Sequence, residues 1–339
     1  MGGNALKQFG VIRLSDKEYH FIANELKSRL VKLFPELRFD IIPAFKTKFS
    51  FGDLDILYSG NNITKFQETI LTSFNPIGHI NNGDCLSITY PVFESQLFQV
   101  DFIKTTPEAH DFSLNYFSYN DLGNLCGRVY KKMGLKFGHK GLLYVVRDPN
   151  NENTVIKEIL VTRDWDYVIN LGKFPKYDHT RFIELKDVFD YVIASPYFNQ
   201  DIFLLENRNH ISRVRDKKRE TYMTFLKYIK MKSDLPKFDW NKSDIKSVIL
   251  HKLFTDFPEF KQTYDGVIQQ YINNKRLREK FNGDLVREWT GLEGKELGSF
   301  IKSIKPVLTN EYVEINDIAH IRDKVLFLWE NRVESRCLG

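Results

Sequence analysis

The stretch Gly52-Asp53-Leu54-Asp55-Ile56-Leu57 sets two carboxylates one residue apart among apolar neighbours. In a strand, side chains alternate, so Asp53 and Asp55 share one face while Leu54 and Ile56 enter the core on the other. Two like charges that close repel unless a cation lies between them, and paired oxygen donors on a strand suit Mg²⁺, which keeps its other positions for water and phosphate. Gln99-Val100-Asp101-Phe102-Ile103 offers a third acid in an apolar run, on an expected neighbouring strand. Three carboxylates hold two Mg²⁺ ions, with Mn²⁺ as a substitute. Two-metal sites stabilise the attacking and leaving oxygens of an in-line phosphoryl displacement, which predicts nucleotidyl transfer. On the residues alone, a strand-capping acid pair and an edge-strand Asp101 remain the structural alternative.

These acids need a sheet to hold them. Phe39 to Phe45, Leu54 to Tyr58, Leu86 to Tyr90 and Leu97 to Ile103 are rich in β-branched and aromatic residues and read as its strands, with Ser59-Gly60-Asn61-Asn62 and Asn81-Asn82-Gly83-Asp84 as turns. Tyr19, Ile22, Leu26, Leu30 and Leu33 recur at helical steps after an N-cap at Ser15 and before a stop at Pro35, and a second helix covers residues 63–73. Short helices and strands mix from Asn120 to Gln200, Asp148-Pro149-Asn150-Asn151 forms a loop, and beyond Phe203 the pattern is nearly all helical. The expected architecture is an α/β head with a mixed sheet, residues 1–115 and 116–204, followed by a helical part over 205–339.

The 339 residues exceed one typical domain, and 42% hydrophobic with 27% charged residues excludes a disordered chain. Cys85, Cys126 and Cys337 are too scattered for a disulfide framework or a zinc site, and no apolar run is long enough to span a bilayer, so an intracellular, soluble protein without membrane partners is expected. Met1-Gly2-Gly3 lacks the Ser or Thr at position 6 that myristoylation wants. The net charge of +5 is mild, but Glu206 to Lys232 carries nine basic residues against three acidic ones, a local +6. Arg213, Arg215, Lys217, Lys218 and Arg219 lie there, interleaved with Tyr222, Phe225 and Tyr228, a combination that suits a nucleic-acid backbone or, alternatively, a solvated helix face with an aromatic core.

The Gly52 to Leu57 strand, the Val100-Asp101-Phe102-Ile103 strand, the Arg13 to Tyr19 helix start and Tyr116-Phe117-Ser118-Tyr119-Asn120-Asp121 resemble the palm and thumb of family X DNA polymerases, in the polymerase β superfamily of nucleotidyltransferases. Asp121, Asn124 and Arg128 fall five, eight and twelve residues after Tyr116, as Asp, Asn and Arg do in that family, and Gly134, Gly141-Leu142 and Val188 to Tyr191 echo later parts of the thumb. The resemblance implies that Asp53 and Asp55 ligate both metals and that Asp101 ligates the catalytic one and helps deprotonate a primer 3′-hydroxyl. It implies that Tyr116 and Phe117 pack on the nucleotide sugar, that Asp121 and Asn124 lie by the base, and that Arg128 meets template or primer. Lys46, on the preceding strand, matches a triphosphate-holding Arg, and Ser50, Gly52 and Ser118 are further nucleotide-binding candidates.

Two departures stand out. The family's triphosphate-binding Gly-Ser falls on Ile42-Pro43, so that either Gly2-Gly3 or Ser50 supplies those contacts or nucleotide affinity is weak, and Tyr119 replaces the turn glycine. Farther on, Phe281-Asn282-Gly283-Asp284-Leu285 with Thr290 to Ile301 is similar to a segment of tRNA nucleotidyltransferases and poly(A) polymerases. The expected function is addition of nucleotides from nucleoside triphosphates to a nucleic-acid 3′-hydroxyl, most like a minimal family X-type DNA polymerase. The rivals are a tRNA 3′-end (CCA-adding) or other RNA nucleotidyltransferase, an enzyme that nucleotidylates a small molecule or protein, and a non-catalytic nucleic-acid-binding module.

Overall fold

A computed structural model describes residues 5–61 and 63–333, so that Gly2, Gly3, Asn62 and Cys337 lie outside the described residues. In chain order the elements of the head are β1 (Leu14–Ser15), α1 (Asp16–Leu33), β2 (Arg38–Ile41), β3 (Ser50–Phe51), β4 (Asp53–Ser59), α2 (Phe66–Phe74), β5 (His79–Asn82), β6 (Cys85–Pro91), β7 (Leu97–Lys104), α3 (His110–Phe117) and α4 (Leu122–Lys132). There follow β8 (Leu135–Gly138), β9 (Gly141–Asp148), β10 (Asn151–Thr162), α5 (Trp165–Leu171), α6 (Leu185–Ile193), α7 (His210–Lys217), α8 (Glu220–Lys230) and α9 (Ile245–Asp256). Helices alone complete the described chain: α10 (Pro258–Lys280), α11 (Gly283–Thr290), α12 (Gly294–Ile304), α13 (Asn310–Ile315) and α14 (Ile318–Glu330).

The central sheet is mixed, with five strands in the order β2-β4-β7-β6-β5. Only β4 and β7 run parallel within it, since α2 and the β5–β6 hairpin carry the chain across between them. Leu54, Ile56, Val100 and Phe102 are fully buried on one face, against α1 and α2. α1 starts at a reciprocal cap, in which the Ser15 backbone N–H and hydroxyl both donate to Glu18 at 2.8 and 2.6 Å, and its buried stripe is Tyr19, Ile22, Ala23, Leu26 and Leu30.

The expected strand from Phe39 to Phe45 is shorter than its sequence pattern. It ends at Ile41 because Pro43 carries no N–H for the ladder and restricts residue 42 before it, so residues 42–49 form an irregular loop. β5 occupies part of the expected turn, and the chain reverses at Gly83-Asp84. The mixed segment after α4 contains a three-stranded antiparallel meander, β8-β9-β10.

The expected division near 205 falls inside a compact unit, for the chain separates into Met1–Phe260 and Lys261–Gly339. In the first unit, Tyr222 and Phe225 of α8 are buried against Phe203 and Phe189, with the Tyr222 hydroxyl donating to the Phe203 carbonyl at 2.7 Å. In the second, Val286, Phe300, Ile304, Val313, Ile321 and Val325 form a core of their own. Two of the three glycines of the Thr290 to Ile301 stretch mark helix ends, while Gly298 lies inside α12. Gly291 closes α11 at φ +69° and Gly294 opens α12 at φ +55°, which accounts for their spacing on capping grounds.

Candidate active site

Parallel pairing sets Asp53 opposite Gln99 and Asp55 opposite Asp101. One carboxylate oxygen from each of Asp53, Asp55 and Asp101 lies within 4.8 Å of the others. Burial first, then the charges of Asp53 and Asp101, push Asp55 well above the ordinary carboxylate range, while Lys48 pulls it partly back. Asp101 is pushed up to about 6, chiefly by burial and then by Asp53, against hydrogen bonds from Ser87 and Gln99. An all-oxygen donor set whose members repel one another when ionised fits a hard divalent cation such as Mg²⁺. Tyr19 feels the same field, since its hydroxyl is pushed up by burial and by Asp55 and Asp53.

Beside the acids opens a cavity of about 250 Å³ whose lining includes Lys48, Asp53, Asp55, Phe117, Asp121 and Arg219. Tyr19 and Phe51 form a stacked wall, with ring centroids 3.8 Å apart, and the Lys48 ammonium sits 4.6 Å from the Phe51 ring centre. Burial pushes Lys48 down from its ordinary value despite Asp53 and Asp55 nearby. Lys48 was missed by sequence reading, and its only signal is the alternation Lys46-Thr47-Lys48. Lys46 itself is not on a strand. It lies exposed in the 42–49 loop, its N–H donating to the Phe182 carbonyl at 3.1 Å.

The Ser50 hydroxyl accepts from Arg13 Nε at 2.9 Å, and Gly52 is buried between β3 and β4. Ile42 and Pro43, standing where the resemblance expects Gly-Ser, line the cavity. The Pro43 carbonyl accepts the Tyr119 N–H at 2.8 Å and so ties the 42–49 loop to the turn after α3. At the end of α3, Phe117 faces the cavity and stacks on His139, whereas Tyr116 packs on Phe137. The Ser118 hydroxyl is spent on the Leu114 carbonyl at 2.6 Å. Tyr119 and Asn120 both take left-handed backbone, at φ +58° and +64°, so Tyr119 fills the conformation expected of a glycine while its ring is buried on Phe182.

Asp121 is ion-paired with Arg219, and both reach the cavity. Asn124 accepts from Arg128 at 3.4 Å. Arg128, expected to meet nucleic acid, is instead 7% exposed and bound through Nη2 to both oxygens of the fully buried Asp216, at 2.9 and 3.1 Å. Arg208 and Arg215 share that same carboxylate. Arg213 is half-buried and Lys217 and Lys218 are exposed, so only part of the basic segment faces solvent, and Tyr222 and Phe225 belong to the core.

A second constellation lies away from the cavity. Ser59 Oγ is 2.7 Å from His110 Nδ1, and His110 Nε2 is 3.0 Å from Asp40 Oδ2. Ser59 and His110 are both buried, so the three residues join β4, α3 and β2 and present no nucleophile to a substrate.

No helix among the described residues is long and apolar enough to cross a membrane. No protein-family model and no curated protein sequence matches the chain. Among solved structures it is similar to Leishmania infantum polymerase beta in a ternary P/T complex, at 10% identity and a TM-score of 0.40, over 49% of this chain and 75% of that one. It is also similar to the same polymerase in a ternary gap complex, at 12% identity and a TM-score of 0.35, over 41% of this chain and 53% of that one.

Proposed function

We propose that the chain is a metal-dependent nucleotidyltransferase that moves a nucleoside monophosphate from a nucleoside triphosphate to a nucleic-acid 3′-hydroxyl, in the manner of a minimal family X-type DNA polymerase. The observation that carries this reading is the gathering of Asp53, Asp55 and Asp101 from two in-register parallel strands beside a cavity that also holds Lys48 and Arg219.

Asp53 and Asp55 would hold two divalent cations and Asp101 one of them. When bound, such ions neutralise phosphate charge and lower the pKa of an acceptor hydroxyl. In the reaction the acceptor oxygen forms a bond to the α-phosphorus, the bond from that phosphorus to the α,β-bridging oxygen breaks, and pyrophosphate leaves. Asp101 would take the hydroxyl proton, the role of a general base held beside the acceptor. Lys48 and Arg219 are the cavity's cations for the triphosphate, in place of the absent Gly-Ser. Phe117 offers the flat apolar surface for the sugar.

A second reading, addition to a nucleic-acid 3′ end without a template, including the tRNA-type reaction, is favoured by one observation. Arg128, the group expected to meet template or primer, is already committed to Asp216. The test is incubation with labelled primer–template DNA, single strands and tRNA lacking its 3′ end, each with dNTPs or NTPs and Mg²⁺ or Mn²⁺. Extension restricted to primer–template supports the first reading, and extension of single strands or tRNA the second. Absence of metal-dependent incorporation on every acceptor sinks both.

A further inference from the structure

Gln99 lies two residues before Asp101 on β7, so both side chains leave the strand on the same face. It is only 2% exposed. Its Nε2 donates to Oδ1 and to Oδ2 of Asp101, at 3.0 Å each. An amide has one donor end and one acceptor end, and with the ends exchanged its oxygen would face the carboxylate and repel it. The exchange is blocked by the chain itself, since the Leu6 N–H donates to Gln99 Oε1 at 3.1 Å.

Leu6 is held firmly enough to do this. It is fully buried, and the residues after it are pinned at two further points. Phe9 lies so close to Gly78 that a Cβ there would come within 2.3 Å of its ring, and the Ile12 N–H donates to the Leu97 carbonyl at 2.8 Å, at the start of β7. Ser87, the register partner of Asp101 on β6, also hydrogen-bonds that carboxylate. Asp101 is thereby oriented without an added positive charge. A cationic donor in the same place would compete with a metal for the carboxylate, whereas a neutral amide orients it and leaves its charge to the metal.

We infer that Gln99, set by the Leu6 backbone amide, is a positioning residue that presents Asp101 to a divalent cation. The inference rests on the nucleotidyltransferase reading only for the reaction that the cation serves. Its test is Mn²⁺ binding to the purified full chain by electron paramagnetic resonance, alongside Mg²⁺ titration of nucleotide incorporation. Gln99→Met keeps the volume and removes the donor. Its Mn²⁺ dissociation constant should rise about tenfold or more, as for lost partners of metal ligands elsewhere. The Mg²⁺ midpoint should rise in parallel, kcat at low Mg²⁺ should fall and recover at high Mg²⁺, and the nucleotide KM at saturating Mg²⁺ should stay unchanged. Should that variant not fold, Gln99→Asn, whose amide stops one methylene short, gives the same reading. Wild-type affinity for Mn²⁺ in a folded variant overturns the inference, as does a wild-type chain that binds no Mn²⁺. A wild-type chain that binds Mn²⁺ but incorporates no nucleotide overturns the reaction reading, while a weakened Gln99→Met would still uphold the positioning role.

Discussion

Asp55 on β4 and Asp101 on β7 are direct register partners across the parallel pair of the central sheet. Neither can turn away without breaking the pairing that buries Leu54, Ile56, Val100 and Phe102, so the fold itself maintains the repulsion between them. Asp101→Asn should therefore abolish incorporation and yet raise the stability of the metal-free protein at neutral pH, by roughly 1–3 kcal/mol. The sign also fixes a pH dependence. Asp101 is raised from 3.8 to about 6 on folding, so its protonated form contributes stability that is complete below about pH 3.8 and is lost as pH rises through about 6. Thermal melts without metal should show that loss between about pH 4 and 7, and Asp101→Asn should show a smaller one. Saturating Mg²⁺ should offset the loss at the upper end. A metal-free melting temperature that rises over this range in the wild type only would contradict this account.

Lys48 and Lys46 are two residues apart but differ in position, the first in the cavity and the second exposed in the loop. Lys48→Ala should raise the nucleoside triphosphate KM about tenfold, the worth of roughly one charge-assisted hydrogen bond. Lys46→Ala should change it less than about twofold. Steady-state kinetics on the two variants decides the matter, and the reverse ranking would restore Lys46 to the triphosphate.

Asp216 is the single carboxylate shared by Arg128, Arg208 and Arg215. Its loss leaves buried guanidinium charge without a partner, and Asp216→Ala should cost about 3–5 kcal/mol in chemical denaturation. Arg128→Met should cost less, because Asp216 keeps two other partners.

Tyr119 sets two effects against each other. Glycine there would relieve a left-handed backbone worth about 1–2 kcal/mol, but would remove a buried aromatic side chain worth about 3–5 kcal/mol. Burial wins, so Tyr119→Gly should destabilise by about 2–3 kcal/mol, measured the same way. A stabilised variant would mean that the strain outweighs the packing.

Features encoded over a few residues were legible in the sequence. The Ser15 cap, the α1 stripe from Tyr19 to Leu30 and the alternation around Asp53 and Asp55 are local patterns that appear in the structure as expected, whereas Leu33, expected in the stripe, is exposed at the helix end. β5 and β10 were harder to see because they are mostly exposed and polar, without the apolar alternation that marks a strand. Tyr222, Phe225 and Ile229 are spaced as a buried helical stripe, and the charge around them obscured that period. Gln99 with Leu6 and Arg128 with Asp216 join residues 93 and 88 apart in sequence, where no local pattern names the partner. Parts of the site that depend on such pairings become visible only once the chain is folded.

The two ion pairs between α4 and the α7–α8 region, Arg128 with Asp216 and Arg219 with Asp121, bear on how far the chain can be shortened. A fragment ending near residue 205 would keep Asp53, Asp55 and Asp101, yet it would bare a guanidinium that had been buried and leave Asp121 without its counter-ion. The compact unit that holds the three acids extends to Phe260, and a recombination or domain swap that cuts at the change in sequence texture would separate α4 from the helices that neutralise it.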